Sequence, residues 1–157
     1  MKPILLIEDD AFKAKRISTF VSGRFEDVVV HVERSVSSGL SSILASRPAM
    51  LLLDMSLSTY DVGPREAGGR PQNFGGLTVL EHLVRRRIPI PTIVITQFPG
   101  FKRDDGAEVS LDALRSELSS KFPHLFKALL WYSSSDRKWE VELEYWMNDI
   151  LSRGEKN

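Results

Sequence analysis

Short apolar runs alternate with amphipathic stretches along the whole chain. The runs are residues 4–7, 28–32, 50–53, 91–95 and 128–132, and most are apolar throughout. Strands covered on both faces need that composition. Between the runs, apolar residues return at a spacing of three to four, as they do on a helix with one buried side. Ala14, Ile17, Phe20 and Val21 form the first stripe, and Val36, Leu40, Ile43 and Leu44 the second. Val79, Leu80, Leu83 and Val84 form the third, followed by Leu111, Leu114, Leu118 and Phe122, then Trp139, Leu143, Trp146 and Ile150. Pro48 and Pro89 mark the ends of the second and third helices, and Ser135 is placed to cap the fifth.

Five β-α units in succession predict an α/β fold with a parallel sheet and helices on both faces. Right-handed crossovers leave few topologies, and a flavodoxin-like, doubly wound five-stranded sheet of order 2-1-3-4-5 is the expected one. Two connections are longer than such a fold prefers. One spans about residues 59–74 and is rich in Gly, Pro and Arg; the other spans 97–108. They follow the third and fourth predicted strands, so both are expected as insertions at the carboxyl end of the sheet.

The chain has 157 residues, which suits one domain, here 1–152 with a polar tail at 153–157. Formal net charge is zero, so no global field draws the protein to nucleic acid or an anionic membrane. The basic turn at 85–87 ends a helix, where cations are favoured, and is weak evidence for nucleic acid. There is no cysteine, which excludes disulfides and thiolate metal sites. The opening MKPILLIEDD has too short an apolar run for a signal peptide or a membrane span, and a cytoplasmic location is expected. His31, His82 and His124 lie on different elements and show no metal-ligand spacing.

Glu8, Asp9 and Asp10 end the first strand, and Asp54 ends the third. With those strands adjacent, three or four carboxylates converge on one crevice. Crowded like charges are unfavourable unless they protonate or a cation neutralises them. Hard oxygen ligands of this kind suit Mg²⁺. Thr96 ends the fourth strand, where its hydroxyl could bond a phosphoryl oxygen carried by Asp54.

Together these residues resemble the receiver domains of two-component response regulators. ILLIEDD is similar to that family's first strand and acidic pair, and MLLLDMSL to its third strand with the phosphoacceptor. GGLTVLEHLVRRRIPIPTIVIT is similar to its third helix and fourth strand, and SVSSGLSSILASRPAMLLLD follows its second helix into strand three. The resemblance covers residues 1–57 and 75–97 best. It implies that Asp54 accepts a phosphoryl group from a histidine kinase, a phosphotransfer protein or a small phosphodonor. Asp9, Asp54 and the Ser56 carbonyl would ligate Mg²⁺ directly, Glu8 would act through water, and Thr96 would be the switch hydroxyl. Receiver domains commonly pair through the fourth helix, fifth strand and fifth helix, so a homodimer or partner surface is expected there.

The chain departs from the family at the end of the fifth strand, where a lysine followed by proline is usual. Here ALLWYSSSDRKW places Tyr132 or Ser133 in that position. An aspartyl phosphate would lose a charge-assisted partner, of order 1.5–3 kcal/mol for one such bond. Lys127, Arg137 and Lys138 are near in sequence, and Arg65, Arg70, Lys102 and Arg103 lie in the long connections and could reach across the pocket; solvated surface charge is the leading reading of all of them. The proline usual after the phosphoacceptor is also replaced, with Ser58 near its place.

Trp139 and Trp146 fall on the apolar stripe and are expected in the core; Val141 and Tyr145 fall off it and are expected on the surface. No helix-turn-helix or other output motif follows, so output through protein contact is expected. The leading expectation is a stand-alone phosphoacceptor. The alternative is a pseudo-receiver that binds partners without phosphorylation. A Mg²⁺-dependent hydrolase is weaker, because it needs a second carboxylate as acid or base, and nothing selects Asp10 or Asp61 for that work.

Overall fold

The computed structural model describes residues 1–60, 74–97, 100–102 and 108–155. In chain order the elements are β1 (Lys2–Ile7), α1 (Ala11–Arg24), β2 (Val28–Glu33), α2 (Val36–Ser46), β3 (Met50–Leu53), α3 (Gly75–Arg85) and β4 (Thr92–Thr96). They continue with β5 (Gly100–Lys102), β6 (Glu108–Ser110), α4 (Leu111–Lys121), β7 (Phe126–Trp131) and α5 (Lys138–Glu155).

The main sheet has the order β2-β1-β3-β4-β7, every pair parallel. This is the expected flavodoxin-like order, with β7 as the fifth strand. Successive strand residues point to opposite faces, and that alternation splits the core in two. Leu5, Ile7, Leu51, Leu53, Val94 and Leu129 pack with the apolar faces of α2, α3 and α4. Ile4, Leu6, Leu52, Ile93, Ile95 and Leu130 pack with those of α1 and α5. The inner strands β3 and β4 are buried at every residue, which is why they show no polar alternation. The edge strand β2 is only partly covered and exposes Val29 and Val32.

Several expectations are corrected. Leu44 and Val84 are exposed, although both were placed on buried stripes. Each lies one residue past a buried neighbour, Ile43 or Leu83, and one residue turns a helix about 100°, off the covered side. The last helix begins at Lys138, where Asp136 Oδ1 accepts from the Lys138 N–H at 3.1 Å. Ser135 instead pairs its hydroxyl with that of Ser133. The helix also runs to Glu155, so residues 153–155 belong to it rather than to a tail. The second long connection holds the antiparallel pair β5 and β6, whose strands are too short to leave a pattern in the sequence. Most of the first long connection, residues 61–73, lies outside the described residues.

The return from that connection into α3 is tight. Gly76 donates its N–H to the Met55 carbonyl at 2.9 Å, and a Cβ at Gly76 would stand 2.7 Å from the Asp54 carbonyl oxygen. Two backbones meet here with no room for a side chain. On the other flank, the N–H groups of Val36 and Ser37 bond the carbonyls of Ser58 and Thr59. The segment after β3 is therefore held from both α2 and α3. Gly76→Ala is expected to destabilise by about 1–3 kcal/mol, since the approach is backbone on backbone. Gly23→Ala, where nothing lies within 4 Å of the added carbon, should instead stabilise by about 0.4–1 kcal/mol. Urea titration of the two variants checks the contrast.

Candidate functional site

Register brings the acidic strand ends together. Ile7 of β1 pairs with Leu53 of β3, so the residues that follow, Glu8 and Asp54, leave the sheet side by side. The Asp54 N–H still bonds the Ile7 carbonyl at 3.0 Å, which extends the ladder to the site itself. One carboxylate oxygen each from Glu8, Asp9 and Asp54 lies within 4.8 Å of the others. Glu8 and Asp54 are buried, and Asp9 is half-buried.

Asp10 is drawn out of this group. Its Oδ1 accepts from the N–H groups of Phe12 at 2.9 Å and Lys13 at 3.0 Å, which caps α1. Three carboxylates converge, and the fourth does structural work. That leaves Asp10 a poor general acid or base, and Asp61 lies outside the described residues. Thr96, the last residue of β4, is fully buried one strand from β3. The Ser56 backbone N–H bonds the Asp54 carboxyl.

The residue that sequence reasoning missed is Lys13. It sits in the first turn of α1 with 2 % exposure. Its ammonium lies 2.5 Å from Glu8 Oε1 and 3.4 Å from Asp54 Oδ1, and donates to the Ile95 carbonyl at 2.8 Å. The contact to Glu8 is a buried ion pair, with Oε1 facing the ammonium. The sequence did carry a signal. Lys13 is four residues before Ile17 and eight before Val21, on the buried face of the helix.

Tyr132, which with Ser133 is one of the two residues on which the family's lysine position falls, is buried beside this ammonium. Its N–H bonds the Thr96 carbonyl at 2.6 Å, and its ring centroid is 5.7 Å from Lys13 Nζ, within cation–π range. Arg16 donates to the Tyr132 hydroxyl at 3.2 Å, and Trp139 packs against the ring at 5.3 Å between centroids. Of the other cations considered, Lys127, Arg137 and Lys138 are exposed, as expected. Arg65, Arg70 and Arg103, together with the side chain of Lys102, lie outside what is described.

The charge in this pocket is unbalanced. Burial pushes the Glu8 carboxyl up to about 9, and the Asp54 charge adds to the rise against the opposing pull of Lys13. Burial also raises Asp54, with Lys13 again opposing and Asp9 adding to the rise. Among the described residues, one ammonium thus stands against three carboxyls. The donor set fits a hard divalent cation: clustered carboxylate oxygens and a half-exposed Asp9 open to water.

No protein-family model matches the chain. Among solved structures, a CheY-like response regulator receiver domain from Methanospirillum hungatei JF-1 superposes with a TM-score of 0.66 at 17% identity, covering 100% of this chain and 99% of that one. Response regulator protein TrrA from Thermotoga maritima, solved in complex with Mg²⁺ and BeF, gives a TM-score of 0.63 at 15% identity over 96% of this chain and 99% of that one. The fold is that of a response-regulator receiver domain. In sequence, the Detocs response regulatory protein DtcB of Enterobacter cloacae (strain JD6301) is 24% identical over 142 residues, which is 89% of this chain and 94% of that protein. In this receiver fold Glu8, Asp9 and Asp54 form a group that could hold a metal ion. No helix among the described residues is long and apolar enough to cross a membrane.

The raised carboxyls set a pH dependence. In the unfolded chain Glu8 titrates near its ordinary 4.5, against about 9 in the folded, metal-free protein. The folded state therefore binds more protons than the unfolded state between those values, and stability falls as pH rises across that window. Below 4.5 the contribution is fully present. Urea titrations in chelator at the two ends of the window should show a lower midpoint at the alkaline end. Glu8→Gln should flatten the difference, and Mg²⁺ should raise the alkaline midpoint. A midpoint that rises with pH in chelator would contradict this assignment.

Proposed function

We propose that the chain is a signalling receiver in which Asp54 accepts a phosphoryl group. The observation that carries this reading is the buried Asp54 carboxyl at the carboxyl end of β3, gathered with Glu8 and Asp9 beside a single buried ammonium. A carboxylate oxygen of Asp54 forms the new O–P bond while the donor's P–N or acyl P–O bond breaks, and the bonding pair leaves with the donor. The protein's part in such a transfer is chiefly positioning and neutralisation of phosphoryl charge.

Asp9, Asp54 and the Ser56 carbonyl are the proposed direct ligands of Mg²⁺, with Glu8 acting through water. When bound, the metal supplies positive charge to the phosphoryl oxygens. Glu8 and Asp9 orient that cation, the Ser56 N–H steadies the Asp54 carboxyl, and the Thr96 hydroxyl is the proposed contact of a transferred phosphoryl oxygen. The donor would be a histidine kinase or phosphotransfer protein, acting on a cytoplasmic, non-enzymatic domain. DtcB is itself named a response regulatory protein, which supports a signalling role. Output would pass through protein contact. Val141 and Tyr145 on α5 are 71% and 66% exposed, and Trp131 is exposed on the edge strand β7, a surface suited to a homodimer or a partner.

A pseudo-receiver that binds partners without phosphorylation is the second reading. A residue without positive charge in the lysine position, Tyr132 or Ser133, is the observation that favours it. Mg²⁺ with acetyl phosphate, or with a cognate kinase, should add one phosphate to the intact protein, and Asp54→Asn should abolish the addition. Intact-mass spectrometry decides it. An unmodified wild-type mass, together with partner capture unchanged by Asp54→Ala, would establish the second reading instead.

A further inference from the structure

We propose that Lys13 is the cationic partner of the phosphoryl group on Asp54, delivered from the first turn of α1 rather than from the fifth strand of the main sheet. This rests on the phosphoacceptor reading above and adds the residue that completes it. Four observations carry it. Lys13 is almost wholly buried, yet it is ionisable and sits on an apolar helix face, an arrangement tolerated only where charge is answered by charge. Among the described residues it is the only cation paired with Asp54 or Glu8. Its ammonium approaches Asp54 from the side of β4, held there by the Ile95 carbonyl next to Thr96. Finally, the Tyr132 ring lies beside the ammonium, so the side chain at the end of β7 backs the charge instead of providing it.

The ammonium shares Asp54 and Glu8 with the proposed metal site and leaves Asp9 to the metal side. Lys13 contacts Oδ1 of Asp54 and one oxygen of Glu8, and among the described residues forms no ion pair with Asp9, which remains half-exposed at the mouth of the group. An ammonium and a divalent ion can then act on the same carboxylate from different sides. The ammonium already meets Glu8 at 2.5 Å and Asp54 at the longer 3.4 Å. A phosphoryl group on Asp54 adds nearly two negative charges and strong acceptor oxygens. That would draw the ammonium from Glu8 towards the phosphoryl oxygens. Transfer itself is unchanged in its balance: the O–P bond to Asp54 forms, the donor bond breaks, and Lys13 keeps its proton.

The test compares Mg²⁺-dependent phosphorylation by acetyl phosphate in wild type, Lys13→Met, and the double variant Lys13→Met with Tyr132→Lys. Lys13→Met should slow phosphate uptake by about tenfold to a hundredfold, the worth of one charge-assisted bond. The double variant, which returns an ammonium from the strand, should recover much of that loss. Recovery is the readout that a merely structural lysine would not produce. Equal uptake by wild type and Lys13→Met, or no recovery in a folded double variant, overturns the proposal while leaving Asp54 as acceptor. A wild type that takes up no phosphate overturns the parent reading and this one with it. Should the Lys13 variants fail to fold, the wild-type Lys13 ammonium can be followed by nitrogen NMR. It should shift when Mg²⁺ and beryllofluoride are added, and an unmoved resonance overturns the proposal.

Discussion

Three carboxyl groups and one ammonium share the carboxyl end of a parallel sheet, and that charge imbalance governs the molecule. Burial raises both Glu8 and Asp54, and Lys13 offsets only part of the cost. Placing charges out of water is expensive unless they are paired and bonded. A fold that keeps such a cluster gives up stability at that place, as functional sites commonly do. The neighbourhood is correspondingly well supported. Asp10 caps α1 and so fixes the turn that carries Lys13, the Ser56 N–H steadies Asp54, and the glycines opening α3 let backbone pack on backbone behind the segment that follows Asp54.

The sheet makes this possible because its two faces are independently filled. Alternate residues of β1, β3 and β4 send one core towards α1 and α5 and the other towards α2, α3 and α4. The strand ends are then rigid platforms, and polar groups at those ends are positioned by the hydrogen-bond ladder rather than by loops. Lys13 is a consequence of the first core. It occupies the sheet-facing side of α1 at the turn where the apolar stripe reaches the strand tips, so its long stem lies in the core while its ammonium reaches the acids.

Tyr132 joins distant segments of the chain in one buried cluster. Its ring, just past β7, packs against Trp139 and lies beside the Lys13 ammonium, while its hydroxyl accepts from Arg16. In the folded chain it flanks a charge that arrives from a helix more than a hundred positions earlier in the sequence.

Much of the architecture was legible from the chain. The uninterrupted apolar runs of β3 and β4 and the three-to-four spacing of the helices specified a covered parallel sheet. Chain order and crossover handedness then implied that Glu8 and Asp54 would be neighbours, and Ile7 does pair with Leu53. Leu44, Val84 and the β5–β6 pair were not legible. A stripe leaves its edges open by one residue, and three-residue strands leave no period to detect. Lys13 marks the boundary most clearly. The sequence placed it four residues before Ile17, but a lysine at such a position is ordinarily a solvated charge with a flexible stem. Only the three-dimensional packing of α1 over the ends of β1, β3 and β4 decided that its ammonium would be sealed among Glu8, Asp54 and the Ile95 carbonyl, because charge pairing between distant segments depends on proximity that local pattern does not encode.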